Sequence, residues 1–275
     1  MSLQDAPISP NTGDHRRPLF VSVVQFDAPL RDGRMSLDQF MDAAHELGAN
    51  GVELRPEPFP DFPHSVETTR MAAQKHGLLI TWATMATLFN ADSDGAANLR
   101  YAIETAADLN ALAVRVFSGE APPRDAPDHA WDDARQAIDY AESLGVRVLL
   151  ENAVTGPGSH LADVARIFDV VPHDNLGANV DIGNFAQSGT VPLEAVAYLK
   201  ERIASVHWKD APGDPAEPAA ALGSGILPIE DLRNALDALP QPLLYILEFP
   251  GGGDPYGRIR QSFEVLTGNA SQETL

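Results

Sequence analysis

No cysteine occurs anywhere in the 275 residues, which excludes disulfides, thiolate metal sites and cysteine nucleophiles. A bound metal would have to use imidazole, carboxylate, amide or water ligands, a set suited to Mg, Mn, Co or Zn. The same absence fits a reducing cytoplasm, the expected location. Basic residues are scarce: 19 Lys and Arg stand against 39 Asp and Glu, giving a formal net charge of -20. A field of that sign repels phosphate backbones, so no nucleic-acid partner is expected, and solubility is the simplest use of the charge. No stretch approaches the roughly 18 uncharged apolar residues of a membrane span. Met1 to Arg17 lack the apolar core of a secretory signal and read as a mobile tail ahead of one domain over residues 18–275. Assembly as a homo-oligomer is left open.

What is present is a regular alternation. Short apolar runs, many of them β-branched, occur at Leu19–Gln25, Gly51–Leu54, Leu78–Thr84, Leu112–Phe117, Val146–Asn152, Leu176–Asp181, Ile203–Trp208 and Leu243–Glu248. Between them lie amphipathic segments at Ser36–Leu47, Ser65–His76, Asp94–Leu109, Ala130–Leu144, Ser159–Val170, Val191–Lys200 and Ile229–Leu239, and Tyr256–Thr267 closes the series. Ser36 with Gln39 has the spacing of a capping box, Gly48, Gly77 and Gly145 stand as helix stops, Ser159 is placed to cap a helix, and Pro192 falls in a first turn. Continuous apolar strands separated by helices imply a parallel sheet buried on both faces. Eight such units without a composition break predict an α/β fold, a single-domain (β/α)8 TIM barrel. After the first run the sequence is Phe26-Asp27-Ala28-Pro29, not GxGxxG, which weighs against a dinucleotide fold. The Pro-rich stretch from Ala211 to Ala221 reads as a loop at the barrel mouth.

Four polar residues end four successive apolar strands: Glu151 in LLEN, Asp181 in NVDIGN, His207 in SVHWKD and Glu248 in YILEFP. Any one of these acids could simply cap the next helix or pair with a cation. Together they would converge on one pocket, because the C-terminal strand ends of a barrel share one mouth. Three carboxylates there would repel one another unless a cation neutralised them, and one imidazole with three carboxylates suits a hard or borderline divalent ion.

With these motifs in this order, the chain resembles the xylose isomerase-like TIM barrels, a group that includes ketose 3-epimerases, hydroxypyruvate isomerase, inosose dehydratase and the apurinic endonuclease branch. The resemblance runs from Leu19 to Thr267 and is supported by GVELR at Glu53 and VRVFSG at Arg115. It implies that Glu151, Asp181, His207 and Glu248 bind one Mn, Mg, Co or Zn ion, and that Glu151 and Glu248 also form an acid/base pair. The chemistry is coherent: a metal on a carbonyl and its adjacent hydroxyl acidifies the carbon between them, one glutamate removes that proton and the other returns it. The implied activity is isomerisation or epimerisation of a small polyhydroxylated carbonyl compound. A lyase such as a dehydratase of a keto-cyclitol would use the same site, and a metal-containing protein without turnover is a third class, which the intact glutamates oppose. One position departs from many sugar-handling relatives, which carry DxxH where this chain has Asn184. That weighs against a specific sugar epimerase, and also against the endonuclease branch, which needs additional histidine ligands.

Substrate contacts are assigned to Glu53, Arg115, Asn184, Lys209, Trp208 and His64. Glu53 ends the second strand and Arg115 lies within the fourth, where an ion pair inside the pocket would be an alternative role. Lys209 could equally pair with Glu248 or Asp181. His64 lies in a Pro-rich loop, and Trp82 and Trp208 could offer an aromatic wall or pack in the core. The remaining histidines fall on helices, helix ends or the tail.

Overall fold

In the computed structural model, residues 17–57, 66–90, 93–214 and 216–268 are described. His64 and tail residues 1–16 lie outside them. Eight strands, β1 (Leu19–Ser22), β2 (Gly51–Leu54), β3 (Leu79–Phe89), β4 (Ala113–Gly119), β5 (Arg147–Glu151), β6 (Leu176–Asp181), β7 (Ile203–Trp208) and β8 (Leu244–Leu247), close into a parallel barrel in chain order. The surrounding helices are α1 (Asp27–Arg31), α2 (Leu37–Glu46), α3 (Val66–Lys75), α4 (Ser93–Asp108), α5 (Asp132–Ser143), α6 (Leu161–Val170), α7 (Ile182–Gln187), α8 (Pro192–Leu199), α9 (Ile229–Asp237) and α10 (Pro255–Thr267). No described helix is long and apolar enough to cross a membrane.

Local signals in the chain explain most boundaries. The Ser36–Gln39 capping box forms at the start of α2. Gly48, Gly77 and Gly145 all adopt positive φ after their helices, at 86°, 66° and 73°, a conformation that costs glycine little. Elsewhere the structure corrects the expectation. β1 stops at Ser22, because a 3-10 turn takes up Val23–Phe26. Ser159 does not cap α6; its hydroxyl donates to Gly156 O at 2.8 Å, and His160 takes the N-cap position without a side-chain bond. Arg17, read as tail, is instead buried, and its guanidinium donates to the carbonyl of Leu236 in the last turn of α9 (2.9 Å) and to those of Leu239 (2.6 Å) and Gln241 just past it. A cation is favourable where helix carbonyls are left unpaired, so the ordered domain includes Arg17.

Alternation along the strands creates two cores. Outward residues such as Val21, Val52, Trp82, Val114, Val180, Val206 and Tyr245 pack with the helices. Inward residues Phe20, Leu149, Ala204, Leu244 and Ile246, with Leu79, fill the lower barrel. Gly51 faces inward here, and a Cβ on it would lie 2.3 Å from the Phe20 ring and 2.6 Å from Leu79 O. Gly51→Val is therefore expected to destabilise the fold by about 1–3 kcal/mol through overpacking, read from the midpoint of urea unfolding. A variant with an unchanged midpoint would show that Phe20 has room to yield.

One irregularity decides what β7 presents. Ala204 points inward, so strict alternation would turn His207 outward. The register between β6 and β7 instead shifts from Ala178↔Ile203 to Asn179↔Ser205, an extra residue on β7. This bulge reverses the phase, leaving Val206 and Trp208 in the outer core and His207 inside the barrel.

Candidate metal centre

Above the apolar floor, the inward positions turn polar. Glu53 is the penultimate residue of β2, Arg115 lies on β4, Glu151 ends β5, Asn179 and Asp181 lie on β6, Ser205 and His207 on β7, and Glu248 follows β8. His207 is fully buried. Its Nε2 meets Glu53 Oε2 at 2.8 Å. Its Nδ1 has no hydrogen-bond partner and faces Glu151 Oε2 at 3.3 Å, Glu248 Oε2 at 3.5 Å and Asp181 Oδ2 at 3.7 Å. One nitrogen or oxygen from each of Glu151, Asp181, His207 and Glu248 lies within 4.8 Å of the others. An orphaned imidazole nitrogen surrounded by three carboxylate oxygens is the donor set of a divalent cation, and a carboxylate on the far nitrogen is the usual partner that orients such a histidine.

Each carboxylate is held in place by its own partners. Glu151 receives Asn184 Nδ2 on Oε1 (3.2 Å) and Asn179 Nδ2 on Oε2 (3.0 Å), with Arg115 Nε 2.8 Å from Oε2. Arg115 is fixed in turn by donating to Thr84 O at 2.6 Å and by lying over the Phe117 ring, 4.6 Å from its centroid. Asn152 brackets the backbone of Asp181, accepting from its N–H at 2.9 Å and donating to its carbonyl at 3.0 Å. Asp181 divides its duties: Oδ1 accepts from Asn184 N at 2.8 Å and caps α7, while Oδ2 faces the pocket. Capping and metal binding are thus compatible in one side chain. Lys209 Nζ lies 2.6 Å from Asp181 Oδ2 and 2.9 Å from Glu248 Oε2. Its stem crosses Gly183, where a Cβ would come within 2.6 Å of Lys209 Cγ, which accounts for the glycine in DIGN. Arg55 pairs with Glu248 Oε1 from the pocket rim.

The electrostatics follow from these pairs. Burial opposes the charge on Glu53, but the His207 cation and its hydrogen bond, helped by Arg55 and Arg115, outweigh it and hold the carboxyl at about 2. Burial likewise opposes charge on Glu151, yet Arg115 and then His207 keep it below the usual carboxylate range. For His207 burial favours the neutral ring, while Glu53 and Glu151 prevail and raise it to about 10.

Several sequence expectations come together here and others do not. Glu151, Asp181, His207 and Glu248 share one pocket at the C-terminal ends of the strands. Glu53 is committed to His207, Arg115 to Glu151, and the Asn184 amide to Glu151 and Asn152 O. Lys209 takes the ion-pairing role. Trp208, expected against substrate, belongs instead to the outer core, fully buried and edge-on to Tyr245 at 5.1 Å. Asn152, Asn179 and Ser205 were missed. Their signal is period two: in LGANVD, Gly177, Asn179 and Asp181 alternate with apolar residues, so a polar inward face was readable there.

Residues 41–268 match the family of the xylose isomerase-like TIM barrel. The chain belongs to that family. A curated relative, the probable endonuclease 4 of Mycobacterium ulcerans (strain Agy99), is 28% identical over 172 residues, 59% of this chain and 68% of its own length. Among solved structures, the probable 3-DHS dehydratase AsbF of Bacillus anthracis superposes with TM-score 0.72 at 17% identity, covering 91% of this chain and 98% of its own. The 3-keto-D-glucoside 4-epimerase YcjR of E. coli gives 0.70 at 16%, covering 92% and 99%. The IOLI protein, solved with a zinc atom, gives 0.74 at 17%, also covering 92% and 99%. At such identities these structures establish the shared barrel. A protein named as an epimerase and one named as a dehydratase thus share this barrel, and a probable endonuclease 4 is similar in sequence.

Glu53 meets the centre by its hydrogen bond to His207 Nε2, which makes it a useful probe. Glu53→Gln should weaken divalent-metal affinity by roughly 10- to 100-fold, the usual effect of losing a ligand's orienting partner. Titration of the metal-free protein with Mn or Zn measures this, and unchanged affinity would show that His207 does not ligate through Nδ1.

Proposed function

We propose that this chain is a divalent-metal-dependent isomerase or epimerase acting on a small polyhydroxylated carbonyl compound. The supporting observation is the state of His207: Nε2 is engaged by Glu53, while Nδ1 is unpartnered and faced by three carboxylates from different strand ends. Glu151, Asp181, His207 and Glu248 would hold one Mn, Mg, Co or Zn ion. When bound, that ion would polarise a carbonyl and its adjacent hydroxyl, acidifying the carbon between them. The chain's own part is proton transfer. Glu151 and Glu248 stand three strands apart around the ring, so one can take the proton from one side of the substrate and the other return it from another. Asn179, Asn184 and Arg115 keep Glu151 in position, and Lys209 keeps Asp181 and Glu248 from repelling one another.

A second reading, a lyase that loses water after the same proton abstraction, is favoured by the engagement of Asn184. Its amide is spent on Glu151 and Asn152, so this position supplies no group to exchange a proton with a substrate hydroxyl. A nucleic-acid substrate is disfavoured by the net charge of -20 and by a buried cluster with one histidine among the described residues. The test is to assay metal-loaded protein against ketoses, keto acids and inososes, read by mass and NMR. Isomerisation conserves mass, whereas dehydration loses water. Turnover of none of them with metal bound would refute both readings.

A further inference from the structure

Away from the barrel mouth, two other groups of histidine with carboxylates lie on the outer helices among the described residues. One joins Asp139 and Glu142 of α5 to His173. The ring of His173 is already satisfied. Its Nδ1 accepts from Asn175 N at 3.0 Å, which leaves the ring proton on Nε2, 3.0 Å from Asp139 Oδ1. A neutral imidazole placed in this way has no lone pair left for a metal.

The other group is different. It joins Asp38 and Asp42 of α2 to His76, the residue that follows α3. The two aspartates are four residues apart, so one face of α2 presents both. Each is about half exposed, whereas the His76 side chain is only 10% exposed. His76 Nε2 is buried and hydrogen-bonds to nothing, although Asp42 Oδ1 faces it at 3.3 Å and Asp38 Oδ1 at 3.6 Å. A buried ring nitrogen left without a partner is costly, and an ion between it and the two oxygens would remove that cost. The spacing suits one metal in particular. Donors held 2.0–2.1 Å from a tetrahedral zinc ion stand about 3.3 Å from one another, and the two nitrogen-to-oxygen separations lie at that value and just above it. Calcium and magnesium, which take six or more ligands and prefer oxygen, are poorly served by one imidazole and two carboxylates. Lys75 competes for Asp38, with Nζ 3.2 and 3.1 Å from its two oxygens. That lysine is 59% exposed, and a surface pair of this kind holds its partners weakly enough for the ammonium to swing into water.

We propose that His76, Asp38 and Asp42 form a second metal site, a zinc site that ties α2 to α3 on the outside of the barrel, with water in the fourth position. It is independent of the reading given to the barrel mouth. The test is equilibrium dialysis of the whole chain against roughly micromolar zinc, with magnesium in excess to occupy loose surface carboxylates, followed by elemental analysis. Whatever the mouth holds, His76→Gln and Asp42→Asn should each lower the bound zinc by one equivalent per chain. Asp42 is half exposed, so its variant guards against misfolding of the first. His173→Gln should leave the count unchanged. Lys75→Ala, which frees Asp38 of its competing cation, should tighten the site a few-fold. In crystals soaked with zinc, anomalous scattering should place an ion between the three side chains. Equal zinc contents in the unsubstituted chain, His76→Gln and Asp42→Asn overturn the proposal. An equivalent lost from His173→Gln instead also overturns it.

Discussion

Turnover by metal-loaded Glu248→Gln and Glu151→Gln proteins should fall by about a hundredfold to ten-thousandfold, the usual contribution of a positioned proton-transfer group. Glutamine preserves size and one ligand oxygen, so some metal should remain bound in both. The two variants should differ in stability. Glu151 accepts from Asn179 and Asn184 and is ion-paired with Arg115, and a glutamine NH2 in that place would point a donor at donors and lose the ion pair. Glu248 meets two flexible cations, Arg55 and Lys209, near the rim, which can move aside. Glu151→Gln should therefore lower the midpoint of thermal unfolding more than Glu248→Gln. The discriminating measurement is solvent deuterium at the substrate carbon during turnover. Uptake that depends on both glutamates supports proton transfer. Clean isomerisation without uptake would indicate a hydride shift, and the roles given to Glu151 and Glu248 would be wrong.

His207→Ala should fail in a different way, by losing the metal. Every line of support for the centre passes through this ring, so its removal should weaken metal affinity by more than about a hundredfold, the upper end for loss of an orienting partner alone. Excess metal should restore activity in part. The same ring makes binding pH-dependent. In the metal-free protein Glu53 and Glu151 overcome burial and hold His207 protonated up to about pH 10, and a ligand must lose that proton. Metal affinity should then rise with pH below that value, with about one proton released per ion, measurable by calorimetry in buffers of different ionisation enthalpy. For the metal-free fold the sign is opposite. A folded pKa raised above the unfolded value of roughly 6.5 stabilises fully below that pH, and the contribution is lost as pH rises through 10. Thermal melts of the metal-free protein should show this decline and those of His207→Ala should not. Identical profiles would place the titration elsewhere.

Much of the centre was readable before any fold was known because a barrel imposes a simple rule. Polar residues at the ends of apolar parallel strands must meet at one mouth, and Glu151, Asp181, His207 and Glu248 satisfied that rule in four consecutive strands. The partners of those residues were harder to read. Glu53 lies 154 residues from His207 along the chain, and Arg115 lies 36 residues from Glu151, so only closure of the ring brings them together. Trp208 misled because strand position gives depth along the barrel but not the face. One extra residue in β7 reverses every side chain after it.

The sequence by itself determined the alternation of strand and helix, the four strand-end polar residues, the α2 capping box and the glycine stops. All of these are encoded within a few residues of each other, where propensity, capping and periodicity act. Only the tertiary structure decided that Arg17 belongs to the domain, that Glu53 and Arg115 are turned onto His207 and Glu151, that Asp181 both caps α7 and faces the pocket, and that Trp208 points away from it. These outcomes depend on barrel closure and on a register shift between neighbouring strands, and such long-range terms leave little trace in local sequence.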